Sequence, residues 1–327
     1  MMSGKTLKSR ATAETAAKSN TRKPQELAWY AIVIIGGFHI TAAWVLLTTR
    51  FSLPMWAYVY VYGSLTLFGT TAGAHRLWTH RTYKAKFPLR VLLTFLHVSS
   101  AQTSVLQWVR DHRAHHKYVD TDADPHNSKR GFFYCHIGWT MMHRHPEVKR
   151  QGAKIDFSDV LADSVVQFEH RFHYLFVLLC AFIIPTVIPV VAWDETWTVS
   201  SLASIVRVVV FINITMTVNS FAHMFGDRPY NKQICPTELW MVSFLAMGEG
   251  WHNYHHTFPW DYKTSELPYY CNFTTFALDG FAKVGWAYDF KSASKELVDS
   301  VASQHGDGSR STAMGRPIMI HEFGLAT

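Results

Sequence analysis

YLFVLLCAFIIPTVIPVVAW, residues 174–193, is a run of twenty residues without Asp, Glu, Lys or Arg. At 1.5 Å per residue it reaches roughly 30 Å as a helix, the thickness of a hydrocarbon core. Two companions are equally free of charge, LAWYAIVIIGGFHITAAWVLLTT (27–49) and MWAYVYVYGSLTLFGTTAGA (55–74), and a third, VSSLASIVRVVVFINITMTVNSFA (199–222), holds one charge, Arg207. Helices this long and this uniformly apolar are rare in soluble cores, so the four runs are expected to span a membrane. They explain the composition. Charged residues make up 17% of the 327-residue chain, against about 25% in soluble domains, while the mean hydropathy is zero. The apolar content excludes a disordered chain, and four isolated cysteines (Cys135, Cys180, Cys235, Cys271) exclude a disulfide scaffold and carry no metal signature.

The first two runs are joined by residues 50–54 and the last two by 194–198, so these short loops belong on one side and everything else on the other. Lys5, Lys8, Arg10, Lys18, Arg22 and Lys23 precede the first run, and positive charge favours the cytosol. The expected architecture is all-α: four transmembrane helices under a cytosolic cap formed by 75–173 and 223–291. A tail over 1–26 precedes it and a second polar tail over 292–327 follows. No cleavable signal peptide is visible. Two residues sit awkwardly in the spans: Arg207, which could snorkel or meet a partner in the bundle, and His39, which reads as a hydrogen-bonded interior or interfacial histidine.

Nineteen histidines are present, and their spacing points to chemistry. DHRAHH (111–116) and EGWHNYHH (249–256) both contain H-x-x-H-H, which sets His112, His115 and His116, and likewise His252, His255 and His256, at i, i+3 and i+4 on a helix. Two identical triplets on either side of a pair of spans point to metal binding, against a merely solvated polar face. His75 and His80 of HRLWTH end the second run; five residues leave them some 140° apart on an α-helix, so they cannot share one unbroken α-helical face. His223 follows the fourth run, one turn beyond Asn219. Nine imidazoles exceed one tetrahedral site and suit two metals with four or five nitrogens each. Glutamates are too few here for the carboxylate-rich di-iron bundle pattern. Asp111 and Glu249 adjoin the boxes and are candidates to orient imidazoles. His126, His136, His143, His145, His170 and His173 lack the spacing and read as polar surface or supporting residues.

Five motifs, TAGAHRLWTHRTYKA (71–85), WVRDHRAHHKY (108–118), DADPHNSKRGFFY (122–134), NSFAHMFGDRPY (219–230) and GEGWHNYHHTFPWDY (248–262), resemble those of the membrane-bound fatty acyl-CoA desaturases of the stearoyl-CoA and insect types. The resemblance covers about residues 27–291. It implies one iron held by His75, His80, His112, His116 and His255, and a second held by His115, His223, His252 and His256, with Asn219 contacting through water. It implies insertion of a double bond, at Δ9 or a related position, into a long-chain fatty acyl-CoA. Dioxygen would be the co-substrate and cytochrome b5, with its NADH-dependent reductase, the electron donor. The setting would be the endoplasmic reticulum membrane, with both termini cytosolic. It implies CoA contacts at Arg110, Asp111 and Arg144, with Thr103 where the family has asparagine. Neighbouring departures fall at Ala31, His143 and Met216. The closed end of the acyl tunnel is implied at Gly63 and Leu67. The alternatives are a related di-iron hydroxylase or acetylenase and, from another class, a divalent-metal transporter, for which the spans lack mid-membrane ligand pairs. The balance of 31 basic to 24 acidic residues suits CoA phosphates and an anionic leaflet, and no nucleic-acid partner is expected.

Overall fold

A computed structural model describes residues 25–310; the basic N-terminal residues and the end of the expected C-terminal tail lie outside the described residues. The helices that shape the molecule are α1 (Trp29–Thr48), α2 (Leu53–Phe68), α3 (Phe87–Val98), α4 (Val105–Tyr118), α5 (Phe132–His136), α6 (Ser164–Phe176), α7 (Ile184–Trp193), α8 (Trp197–Met224), α9 (His252–Thr257), α10 (Phe273–Lys283) and α11 (Lys295–His305). Among the described residues the strands are a single two-residue antiparallel pair, β1 (Lys84–Ala85) with β2 (Ala287–Tyr288).

Among the described residues, three helices are long and apolar enough to cross a membrane: α1, the continuous Ser164–Trp193 rod of α6 and α7, and α8. Their outer faces carry Leu47 at 87% exposure and Val191 at 76%, a distribution that suits lipid and not water. Local signals start these helices. Ser52 accepts the Met55 amide ahead of α2, with Pro54 in its first turn, and Thr196 accepts the Val199 amide ahead of α8. Asp194, in the left-handed conformation at φ 56°, ends α7 and makes the short connection to α8.

The second expected span departs from the sequence reading. Residues 55–74 are not one uniform helix, because α2 has 16 residues and then widens into a π-helix over Gly69–Thr79. This widened turn packs against α3, and Gly69 permits the approach: a Cβ there would sit 2.4 Å from the His97 amide nitrogen. Behind it lies the largest apolar core, in which Leu89, Leu93, Val105, Val109 and Leu278 are fully buried. Each stabilises the cap by roughly 1.5–3 kcal/mol.

The rod Ser164–Trp193 contains a second π-helix, Val177–Ile183, just before Pro185, and Pro189 lies inside α7. A proline has no N–H to give the carbonyl four residues back. Pro185 thereby leaves Ala181 without that donor, and Pro189 does the same to Pro185. Arg207 donates to the Ala181 carbonyl at 2.6 Å, and the Tyr58 hydroxyl donates to Pro185 at 3.1 Å. Arg207 therefore does not snorkel; it is 1% exposed and also donates to the Ser99 carbonyl at 2.9 Å. His39 is bonded within the bundle, between the Ile35 carbonyl and the Asn213 amide.

The segment after residue 292 begins with a docked helix in place of a free tail. α11 starts at Ser294, which accepts the Leu297 amide, and buries Val298 against Tyr230, Tyr254 and Phe258. Arg310 closes the strap by donating to Glu266 and Asp299.

Replacing Gly69 with Ala forces backbone against backbone and is expected to cost about 1–3 kcal/mol. Thermal unfolding in detergent should show a lowered midpoint for Gly69→Ala and none for Gly36→Ala, where nothing lies within 4 Å of a new Cβ.

Candidate metal centre

Four segments converge on the cap side of the bundle: the π-helix with His75 and His80, α4 with its three histidines, the end of α8 with His223, and α9 with three more. The π-helix answers the angular objection to His75 and His80. Its hydrogen bonds run from i to i+5, and the His80 amide donates to the His75 carbonyl at 3.1 Å. Residues five apart then stand nearly above one another, and the two rings lie 4.9 Å apart.

The convergence produces two groups in which the nitrogens lie within 4.8 Å of one another: His75, His80, His112, His116 and His255, and His115, His223, His252 and His256. Each H-x-x-H-H box is divided. α4 gives two rings to the first group and one to the second, and α9 does the reverse. The groups touch where the His116 and His256 rings stack at 4.0 Å.

The nitrogens are spaced as ligands of common ions. Nε2-to-Nε2 distances are 2.9 Å for His75–His255, 3.0 Å for His255–His116 and 3.2 Å for His116–His112 in the first group. In the second they are 3.3 Å for His115–His256, 3.1 Å for His256–His252 and 3.0 Å for His252–His223. Imidazole nitrogens about 2.0–2.1 Å from one ion, at right-angled to tetrahedral spacing, stand about 2.9–3.4 Å apart. His75 presents Nδ1 to Glu249 at 2.7 Å, and His115 presents Nδ1 to both oxygens of Asp124 at 3.0 Å. With those protons held by the carboxylates, the inward Nε2 atoms of His75 and His115 carry lone pairs free to bind a cation. His80 Nε2 is buried with no partner at all. Burial, then the neighbouring imidazoles, hold His80, His112, His116, His252, His255 and His256 well below the usual histidine range. They are neutral near pH 7, the form that binds metal. The donor set fits a pair of imidazole-bound metal ions.

Glu249 is held in turn by Arg76, which is fully buried and donates to Glu249 and to the Tyr262 carbonyl. Burial would raise the Glu249 carboxyl, but the facing His75 ring and Arg76 guanidinium bring it down to about 2. Asp111 does not take the matching role. Its oxygens accept from Gln107 and Arg144, and Asp124 holds the box histidine instead. Asp124 and Arg76 were not singled out from sequence, although both lie inside the quoted motifs. His126 stacks on His115 at 4.2 Å, and His136 bridges Asn213 and Ser220.

A cavity of about 570 Å³ opens beside the first group, lined on the cap side by Thr103, Asp111, His112 and His126 and on the membrane side by Met216 and Asn219. Asn219 has one weak contact, to the Met216 sulfur at 3.5 Å. Arg110 is exposed, and Arg144 stacks over Trp139 at 5.1 Å with one terminal nitrogen unpartnered. Gly63 and Leu67 are both buried and are not among the residues that line the cavity.

The family described as fatty acid desaturase matches residues 52–270. An acyl-CoA Delta(11) desaturase of Spodoptera littoralis is 45% identical over 289 residues, 86% of this chain and 85% of its own. An acyl-CoA Delta-9 desaturase of Acheta domesticus is 43% identical over 297 residues, 88% of this chain and 83% of its own. A stearoyl-CoA desaturase of Capra hircus is 46% identical over 294 residues, 89% of this chain and 82% of its own.

Removing either orienting carboxylate, by Asp124→Ala or Glu249→Ala, should weaken metal retention about 10–100-fold, measured by chelator titration of the purified protein. Because the Glu249 carboxyl is depressed from 4.5 to about 2, its contribution to stability is complete above pH 4.5 and is lost as pH falls through about 2. The free energy of unfolding should drop over that window by of order 1 kcal/mol per pH unit, and Glu249→Gln should flatten the profile.

Proposed function

The chain belongs to the fatty acid desaturase family, and we propose that it inserts a double bond into a long-chain fatty acyl-CoA, at Δ9 or a related position. His75, His80, His112, His116 and His255 would hold one iron. His115, His223, His252 and His256 would hold the other, with Asn219 contacting it through water. The observation that carries this reading is the pair of buried imidazole groups, stacked on each other and opening beside a cavity with mainly apolar walls. Bound iron supplies, with dioxygen, the one-electron oxidising power that an unactivated methylene requires and that no acid or base on this chain could provide. The overall balance takes two hydrogens from adjacent methylenes, with two electrons and two protons, and reduces dioxygen to two waters. We assign the electrons to cytochrome b5 and its NADH-dependent reductase, and the site of action to the endoplasmic reticulum membrane with both termini cytosolic.

The chain's own residues have distinct tasks. The imidazoles would hold the iron through ring nitrogens that bring no negative charge of their own. Glu249 and Asp124 keep His75 and His115 in one tautomer and orientation. The cavity wall would position the acyl chain past His112 and Asn219. At the cap surface Arg110 and Arg144 answer the CoA phosphates, with Asp111 anchoring Arg144 and Thr103 on the adjoining wall. We take α2 with its π-helical extension as the fourth crossing, since α2 and α8 run side by side and both deliver ligands to the cap.

Expression in yeast lacking its own desaturase should restore unsaturated fatty acids, with product analysed by mass spectrometry, and His112→Ala and His255→Ala should return the cells to background. Hydroxy acids as the only product, cation flux without a lipid change, or full activity in both variants would overturn the reading.

A further inference from the structure

Arg207 is a fully buried charge in the membrane-spanning part of α8 that neither metal group uses. Its guanidinium is a cross-beam. Nη1 donates to Ser99 at the end of α3, Nη2 donates to Ala181 in the π-helix before α7, and the Tyr62 ring of α2 lies 4.9 Å away. Nε is buried with no partner. Both accepting carbonyls are left open by the backbone, Ala181 by Pro185 and Ser99 by the end of its helix.

α8 and the two segments that receive the hydrogen bonds of Arg207 also line the cavity: Ala101 follows Ser99 by two residues, Val177 precedes Ala181 by four, and Ile212 follows Arg207 by five on α8. None of the residues that line the cavity belongs to α2. Phe211 fills the notch that Gly63 leaves, where a Cβ would come within 2.0 Å of the ring.

We propose that Arg207 is the end stop of the acyl cavity and sets the longest chain the enzyme accepts. A methyl terminus at this level meets a desolvated guanidinium rather than hydrocarbon, and going further means breaking two charge-assisted hydrogen bonds. The proposal rests on the acyl-CoA reading above and makes Arg207 a specificity-determining residue, not a catalytic one.

The test uses the full-length enzyme in microsomes of desaturase-deficient yeast, supplied with an equimolar mixture of myristoyl-, palmitoyl-, stearoyl- and arachidoyl-CoA. Arg207→Met removes the cross-beam at similar length, Arg207→Lys keeps a cation, and Ile212→Trp fills the space just above the stop. The readout is the ratio of unsaturated products by chain length, which does not depend on how much enzyme is folded. Arg207→Met is expected to shift that ratio toward the longest chains by about ten-fold, Arg207→Lys to stay near the parent, and Ile212→Trp to shift it comparably toward the shortest. A parental ratio in Arg207→Met would overturn the proposal, whatever Ile212→Trp does. If Arg207→Met is not recovered in the membrane, Arg207→Gln takes its place, and a parental ratio there overturns the proposal. A parent enzyme that makes no unsaturated product from any of the four fails at the earlier reading, and the end stop falls with it.

Discussion

Nine imidazoles gathered into two buried groups, with neighbouring Nε2 atoms about 3 Å apart, make an arrangement that suits cations. Nitrogens that close repel in a buried site unless a proton or a cation lies between them. The local choices around the site serve to hold that arrangement. The π-helix brings His75 and His80 onto one side, the carboxylates of Glu249 and Asp124 fix tautomers, and Arg76 keeps Glu249 ionised. The division of each histidine box between two groups follows from helix geometry. His115 is offset from its neighbour His116 by about 100° around α4, so one helix can face two centres at once.

The membrane imposes the second requirement, that backbone polar groups find partners inside the protein. Prolines would normally violate it. Here each of the two prolines in the third crossing opens a carbonyl that a side chain from another helix fills, Arg207 from α8 and Tyr58 from α2. A polar chain of His39, Asn213, His136 and Ser220 likewise ties α1 to α8 and to the cap helix α5. These links fix the rotation and depth of helices whose lipid-facing surfaces specify neither.

The legible parts of this fold were those written in local period. Long uncharged runs marked three crossings, and i, i+3, i+4 spacing marked the two histidine boxes. The parts that escaped depend on a change of period or on distant partners. His75 and His80 make sense together only once the helix widens, and nothing in HRLWTH announces a π-helix. Asp111 abuts its box in sequence yet faces Arg144, whereas Asp124, nine residues past His115, returns to it after the chain turns at the end of α4. The sequence left Arg207 between reaching the interface and meeting a partner in the bundle, because the two carbonyls that receive it come from residues far away in the chain. The polar stretch after 292 hid a helix whose only deeply buried contact is Val298.

That docked helix bears on the order of assembly. α11 and Arg310 press on the back of α9 through Tyr230, Tyr254 and Glu266, while Ala293 donates to the same Asp261 that receives the Tyr254 hydroxyl. The first ligand is made at residue 75 and the last at 256, and the buttress behind them only near 310. A ribosome therefore has to pass residue 256 before the last imidazole of either group exists, and residue 310 before the buttress behind them does.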